Sequence, residues 1–243
     1  MYPPTTHPQF PATRWSLIER LRGPEAQARK AIGELCEIYW RPLYCFARQR
    51  GYSSADAQDI TQGFLMDALR RNLFGRADRE RGRLRSLLLT AFSQFFQNEA
   101  EKAAAIVRGG KFHHVSTDAA TVQEQYLAEF IEGETPEKSF YRSWARTLLD
   151  RVMLRLAETW QAAGKGEWFE MLKPFLSGGR DGVETYEAAG RRLNVPADRV
   201  RLAAFRLRRS YREELLREIK ETVASDDPAV LEDELNFLFR SLA

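Results

Sequence analysis

The side chains that commonly do covalent or metal chemistry are sparse in this sequence. His113 and His114 are adjacent, and no third ligand stands at metal-site spacing. Arg108-Gly109-Gly110-Lys111 lacks the spacing and the following Ser or Thr of a phosphate-binding loop. No Ser or Cys comes with an evident base. The expectation is therefore no catalytic residue, no metal and no cofactor. What the sequence offers instead is arginine: Arg76, Arg79, Arg81, Arg83 and Arg85 form one group, and a second runs from Arg191 to Arg209. The chemistry of dense arginine is recognition of phosphate, through a fixed charge and a planar fork of donors.

The second group follows a short breaker. Tyr186 to Leu193 reads as a short helix, Asn194-Val195-Pro196 as a tight turn, and Ala197 to Tyr211 as a second helix, the geometry of a helix-turn-helix unit. Ala189 is small where the first helix must approach its partner, and Leu193, Val195, Val200 and Ala204 would close the core between the helices. In such a unit the second helix lies in the major groove of duplex DNA. Asp198, Arg199, Arg201, Leu202 and Phe205 are then the readers of base edges, and Arg192, Arg206, Arg208 and Arg209 hold phosphates. An amphipathic basic helix that merely solvates its outer face is the plain alternative.

The rest of the chain supplies the scaffold. Its 243 residues allow two modest domains, 44% apolar and 29% charged residues describe an ordinary globular composition, and no apolar run approaches the roughly 20 residues of a membrane span. A start without a signal-peptide pattern makes the cytoplasm the expected location. Cys36 and Cys45, nine residues apart on one helix, cannot bridge. The net charge of +3 says little by itself. Its distribution says more: two basic groups are offset by an acidic C-terminal stretch that includes Glu213, Glu214, Glu218, Glu221, Glu232, Asp233 and Glu234.

Nearly every segment has helical periodicity. Residues Glu25 to Arg50 place Ile32, Leu35, Cys36, Tyr39, Leu43 and Phe46 on one face, and Gly51 supplies a C-terminal stop. Ser53 or Ser54 caps the next helix, which buries Ile60, Phe64, Leu65, Ala68 and Leu69. A third long helix runs from Leu84 to Ile106, with Phe92, Phe95 and Phe96 in its core face. Residues 109–136 lose periodicity and read as a linker that, extended at about 3.3 Å per residue, reaches roughly 80 Å; Tyr126 to Ile131 could form a short helix within it. Thr135-Pro136-Glu137 starts a helix carrying Phe140, Trp144, Leu148, Val152, Leu156 and Trp160 on one face. Trp168 to Leu176 is another short helix, and Pro228 to Leu242 forms an amphipathic tail. The expected fold is all-α, divided into 1–108, a linker at 109–136, a second helical domain at 137–222 and a tail at 223–243.

The stretch TYEAAGRRLNVPADRVRLAAFRLRRSYREELLREI, Thr185 to Ile219, resembles region 4 of extracytoplasmic-function sigma factors, the smallest class of the sigma-70 family. DAQDITQGFLMDAL, Asp56 to Leu69, resembles the family's region 2.2, and GRLRSLLLTAFSQFFQNEAEKA resembles regions 2.3 and 2.4. FPATRWSLI, YWRPLYCFARQRG and RGGK resemble segments of a larger subgroup. The likeness covers nearly the whole chain in the right order. It implies that the protein catalyses nothing itself. The first domain would bind the clamp helices of the polymerase β′ subunit through Asp56, Gln58, Asp59 and Gln62, and would capture the opened −10 promoter element. The second domain would read the −35 element as duplex and meet the β flap. For the −10 element a basic groove is needed: Arg79, Arg81, Arg83 and Arg85, extended by Asn98, Lys102, Arg108 and Lys111. A monomer is expected when the protein is free, with an anti-sigma factor as a candidate partner.

The sequence departs from the family at several points. Gln58 and Gly63 stand where Glu is usual, which weakens contact with a basic polymerase surface. A phosphate on Thr61 would restore the charge, making a Ser/Thr kinase a candidate partner; otherwise Thr61 is an ordinary helix residue. Leu84 and Leu87 replace the Phe and Trp of many members, so stacking on opened bases is less available. The tail is expected to pack on the second domain; alternatively its acidic face masks the recognition helix. Two other functional readings stand beside a sigma factor: a helix-turn-helix regulator that reads duplex DNA without touching polymerase, and a helical adaptor that binds only proteins.

Overall fold

A computed structural model of the chain describes residues 14–74, 83–107, 131, 133–176, 185–223 and 225–243. The described residues are helical and contain no strand. The helices are α1 (Arg14–Leu21), α2 (Glu25–Gln49), α3 (Ser54–Arg70), α4 (Leu84–Val107), α5 (Pro136–Ala162), α6 (Gly166–Leu172), α7 (Tyr186–Arg192), α8 (Ala197–Val223) and α9 (Pro228–Arg240), with a 3₁₀ turn over Lys173–Leu176. None of them is long and apolar enough to cross a membrane.

The chain divides into two compact units, Met1–Thr147 with Lys220–Ala243, and Leu148–Ile219. The division falls inside α5 and α8, and the tail belongs to the first unit together with the start of α5. The tail meets Tyr141, Trp144 and Thr222, which the sequence reading placed in the second domain, and also Arg83 and Arg85 of the first.

In the first unit the local signals behave as their chemistry requires. Gly51 ends α2 with φ +89°, a conformation open to glycine without steric cost. Ser53 caps α3: its Oγ accepts from the Asp56 amide at 3.1 Å and donates to the Asp56 carboxylate at 2.6 Å. The Tyr44 hydroxyl and Ser54 Oγ lie 3.0 Å apart, tying α2 to the first turn of α3. The core between α2, α3 and α4 is aromatic, with Phe92 in contact with Phe46, Phe64 and Phe96 at centroid distances of 5.5, 4.8 and 4.8 Å. Phe46, Phe92 and Phe96 are buried, whereas Phe95, expected in the core, is only half-buried. Cys36 and Cys45 are free thiols, and burial pushes both pKa values up.

The start of α5 is pinned to the end of α2. Gln49 donates from Nε2 to the carbonyls of Ile131 and Glu134 at 3.0 and 2.6 Å. Arg142 pairs with Glu134 at 2.6 Å. The stripe expected on α5 is the buried face: Phe140, Trp144, Leu148 and Val152 are fully buried and Leu156 nearly so.

α9 closes the first unit with Leu231, Leu238 and Phe237 and with one buried carboxylate. Glu234 is fully buried and accepts from both Nη atoms of Arg85, from Arg83 Nε and from Thr222 Oγ1. The Arg85 guanidinium lies 4.5 Å from the Trp144 ring and 4.4 Å from that of Phe237, so it is 4% exposed and held from three sides. Burial pushes its pKa down while Glu234 pushes it up.

In the second unit Glu218, fully buried, pairs with Arg155 and, at 3.8 Å, with Arg151. Glu214 accepts from Arg155 at 3.1 Å and from Arg217. These pairs fix α8 against α5. The second helix of the turn unit was expected to end at Tyr211, yet α8 continues to Val223.

Candidate nucleic-acid interface

The helix-turn-helix unit forms as its sequence implies. Thr185 caps α7, its Oγ1 accepting from the Ala188 amide at 3.2 Å. Leu193 donates to the Ala189 carbonyl at 3.0 Å, and Val195 to that of Gly190 at 2.9 Å. Asn194 takes φ +53°, a left-handed conformation that asparagine tolerates better than most residues. Pro196 then precedes α8, and the Arg199 amide donates to its carbonyl at 3.0 Å. Ala189, Val200 and Ala204 are buried as expected, while Leu193 and Val195 are half-buried.

One residue of this turn was missed. A Cβ on Gly190 would lie 2.8 Å from the Val195 carbonyl oxygen and 3.4 Å from the Ala197 nitrogen. The glycine is thus what lets α7 approach α8. Its neighbour Ala189 drew attention through its small side chain; the signal for Gly190 was a glycine five residues before the turn valine, inside a short helix that it otherwise weakens.

The predicted reading set is exposed along the front of α8. Arg201 and Asp198 pair with each other at 2.9 Å, with side chains 59% and 88% exposed. Leu202 and Phe205 are 49% and 60% exposed, unusual for side chains of that size. Arg192, Arg199, Arg206, Arg208 and Arg209 are also exposed.

The structure divides the predicted phosphate set. Arg208 donates from Nε to the Phe175 carbonyl at 3.2 Å and from Nη2 to the Tyr186 hydroxyl at 3.1 Å. Its guanidinium braces the unit while the residue stays exposed on α8. Tyr186, stacked on Phe175 at 4.8 Å and lying 5.7 Å from the Arg201 guanidinium, is the hub of that brace; sequence reading gave it only the start of a helix. Arg209 pairs with Glu213 at 2.8 Å, which raises its pKa. Arg199 and Arg206 have no ion-pair partner among the described residues.

In the first unit the residues expected to meet polymerase all lie on α3. Asp59 and Gln62 are exposed, Asp56 and Gln58 half-buried, and Asp56 is engaged by Ser53. Gly63 faces α4: a Cβ there would stand 3.7 Å from Phe95 Cζ. A Glu at that position would start over the Phe95 ring instead of joining the outer acidic face. Thr61 requires a correction. It is fully buried, and its hydroxyl has no hydrogen-bond partner among the described residues, so a kinase cannot reach it in this fold.

The −10 set is only partly brought together. Arg85 is withdrawn into the Glu234 clamp, and this corrects its expected contact with DNA; a buried, doubly hydrogen-bonded guanidinium cannot also hold a phosphate. Arg83 shares the carboxylate but keeps a 36% exposed side chain. Asn98 is exposed on α4, beside a shallow cleft shared with Gly63, Met66 and Phe95. Lys102 also lies on α4. Arg79, Arg81, Arg108 and Lys111 fall outside the described residues, as do His113 and His114.

The acidic C-terminal stretch is divided, with Glu213, Asp226, Asp227, Glu232 and Asp233 exposed and the others turned inward. Glu214, Glu218 and Glu234 are internal counter-charges for arginines. No cluster of His, Cys, Asp and Glu among the described residues could hold a metal ion. Comparison of the chain with protein-family models, curated proteins and solved structures finds no match.

Proposed function

We propose that this protein is a bacterial transcription initiation factor of the extracytoplasmic-function sigma type, bringing core RNA polymerase to promoters and reading a −35 element through α8. The observation that carries the reading is a capped helix-turn-helix whose second helix faces solvent with Arg199, Arg201, Leu202, Phe205 and Arg206. Those are the groups that base edges, thymine methyls and phosphates require. The resemblance of α3 and α4 to regions 2.2 to 2.4 adds polymerase binding through the outer face of α3, where Asp59 and Gln62 are exposed.

Run-off transcription tests the proposal, using purified core polymerase on DNA fragments enriched by the reconstituted holoenzyme. Discrete starts that depend on the protein and vanish in the Arg201→Ala, Arg206→Ala double variant support it. Duplex binding by the protein alone, without polymerase association or transcript, replaces it with the simple regulator. That second reading gains from the Arg85–Glu234 clamp, which takes a cation from the surface meant for the −10 element.

A further inference from the structure

A second feature of the Leu148–Ile219 unit is not absorbed by DNA reading. The C-terminus of α5 turns sharply into α6. Gly164 takes φ +68°, its amide donates to the Gln161 carbonyl at 2.9 Å, and the Lys165 amide closes on the Trp160 carbonyl at 2.8 Å. This paired cap is available to glycine at little steric cost. It brings Trp160, from the last turns of α5, and Trp168, from α6, to one cleft whose opposite side is α8 with Leu202 and Ala203. The cleft holds about 440 Å³, within the range of small-molecule sites and far too small for a partner helix.

Its chemistry is lopsided. Two half-buried indoles and the exposed Leu202 supply the walls, and Lys165, Arg199 and Arg206 stand around them. No carboxylate among the described residues lines it. None of the three cations has an ion-pair partner among the described residues, although arginines elsewhere in this protein are paired repeatedly with Glu and Asp. Aromatic faces bind flat apolar bodies, and unpaired cations at their edge bind an anion.

We propose that this cleft is a binding site for a small planar aromatic carboxylate, its ring held by Trp160, Trp168 and Leu202 and its charge met by Lys165, Arg199 and Arg206. Arg199, Leu202 and Arg206 also belong to the DNA-reading face, so ligand and duplex exclude each other; that consequence rests on the sigma-factor reading, whereas the site itself does not.

Isothermal titration calorimetry of the full chain tests the site, with 2-naphthoate as probe and 2-naphthamide as its neutral counterpart. The expected result is naphthoate binding at least about tenfold tighter than the amide, equivalent to ~1.4 kcal/mol. Arg206→Glu and Leu202→Asp, both at exposed positions that leave folding intact, each remove that preference, and Arg212→Glu, away from the cleft, retains it. Equal binding of the two probes, a naphthoate affinity indifferent to Arg206→Glu and Leu202→Asp, or no heat at millimolar naphthoate overturns the site. Displacement of a bound promoter duplex by saturating naphthoate supports the shared face. A duplex that stays bound while the free chain still titrates overturns the exclusion and leaves the site standing.

Discussion

Glu234 gives the sharpest handle on the fold. Its carboxylate, with no solvent exposure, is the only anion hydrogen-bonded to Arg85 among the described residues, and Arg85 is itself 4% exposed. Replacing it by Gln keeps the shape and removes the charge, leaving a guanidinium buried between Trp144 and Phe237. Breaking one side of a buried pair costs about 3–5 kcal/mol. The two aromatic faces still stabilise the cation, which places the expected loss near the lower figure, ~3 kcal/mol. With a urea dependence of about 2 kcal/mol/M, the midpoint of the first unit falls by roughly 1.5 M. Circular dichroism follows the transition, and peptide-level hydrogen exchange assigns it by showing early loss of protection in α9 and the start of α4. Removing both partners distinguishes a charge effect from poorer packing: Arg85→Met with Glu234→Leu should recover most of the stability, because an apolar pair carries no desolvation cost. A Glu234→Gln midpoint within about 0.3 M of the parent, on the same urea scale, or a double variant as unstable as the single one, refutes the reasoning.

Three further outcomes are expected. Gly190→Ala, which sets a methyl 2.8 Å from the Val195 carbonyl oxygen, should destabilise the second unit by about 1–3 kcal/mol and weaken duplex binding; an unchanged melting curve would show that the turn relaxes freely. Thr61→Val should raise stability by about 1 kcal/mol, since it replaces a buried hydroxyl lacking a partner with a methyl of the same shape; a loss measured by urea titration would mean the hydroxyl is satisfied in solution. Asp67 is held below the usual carboxylate range by its hydrogen bond from Arg70 and then by the Arg71 charge. Its folded pKa is the lower one, so its contribution is complete above the unfolded value of about 3.9 and disappears as pH falls through the folded value. The urea-midpoint difference between the parent and Asp67→Asn should therefore be present at pH 7 and fade as the pH falls below the unfolded value; a difference that persists in acid would assign it to helix propensity instead.

What could be read from the sequence was local. Gly51, Ser53 and Thr135 act within a few residues of themselves, and each forms the cap that its side chain or freedom from one allows. The buried stripe of α5 and the turn at Asn194 follow from spacing for the same reason. The length of α8 was a local signal that the reading to Tyr211 missed: from Ala197 to Asp227 the chain has neither Gly nor Pro and is rich in Arg, Glu and Leu, so nothing stops the helix there. Other features were not legible because their causes are distant. Arg85 looks like one more arginine of a basic loop, and only the arrival of Glu234 from 149 positions away turns it into a core residue. Thr61 is the opposite case: its helical phase relative to Phe64, Leu65 and Ala68 sends it inward, a local signal that its polar side chain obscured.

This distance dependence bears on the choice between a sigma factor and a simple regulator. A formal charge of +3 treats all 37 basic and 34 acidic residues alike, but buried pairs contribute nothing to a surface field. Arg85 is paired with Glu234 where no polyanion can reach it, and Arg151 and Arg155, half-buried, are paired with Glu214 and Glu218. In the second unit Lys165, Arg199 and Arg206 have no ion-pair partner among the described residues, and they gather around one cleft beside α8. Salt dependence therefore separates the two units' contributions to the proposed nucleic-acid binding. Each phosphate that the protein ceases to neutralise reduces the slope of log K against log salt by about 0.9 on duplex DNA. Arg206→Ala should lower it by about that amount, whereas Arg85→Lys should leave it unchanged even as it loosens the first unit. A slope that responds to Arg85 and ignores Arg206 would move the proposed DNA-binding face off α8.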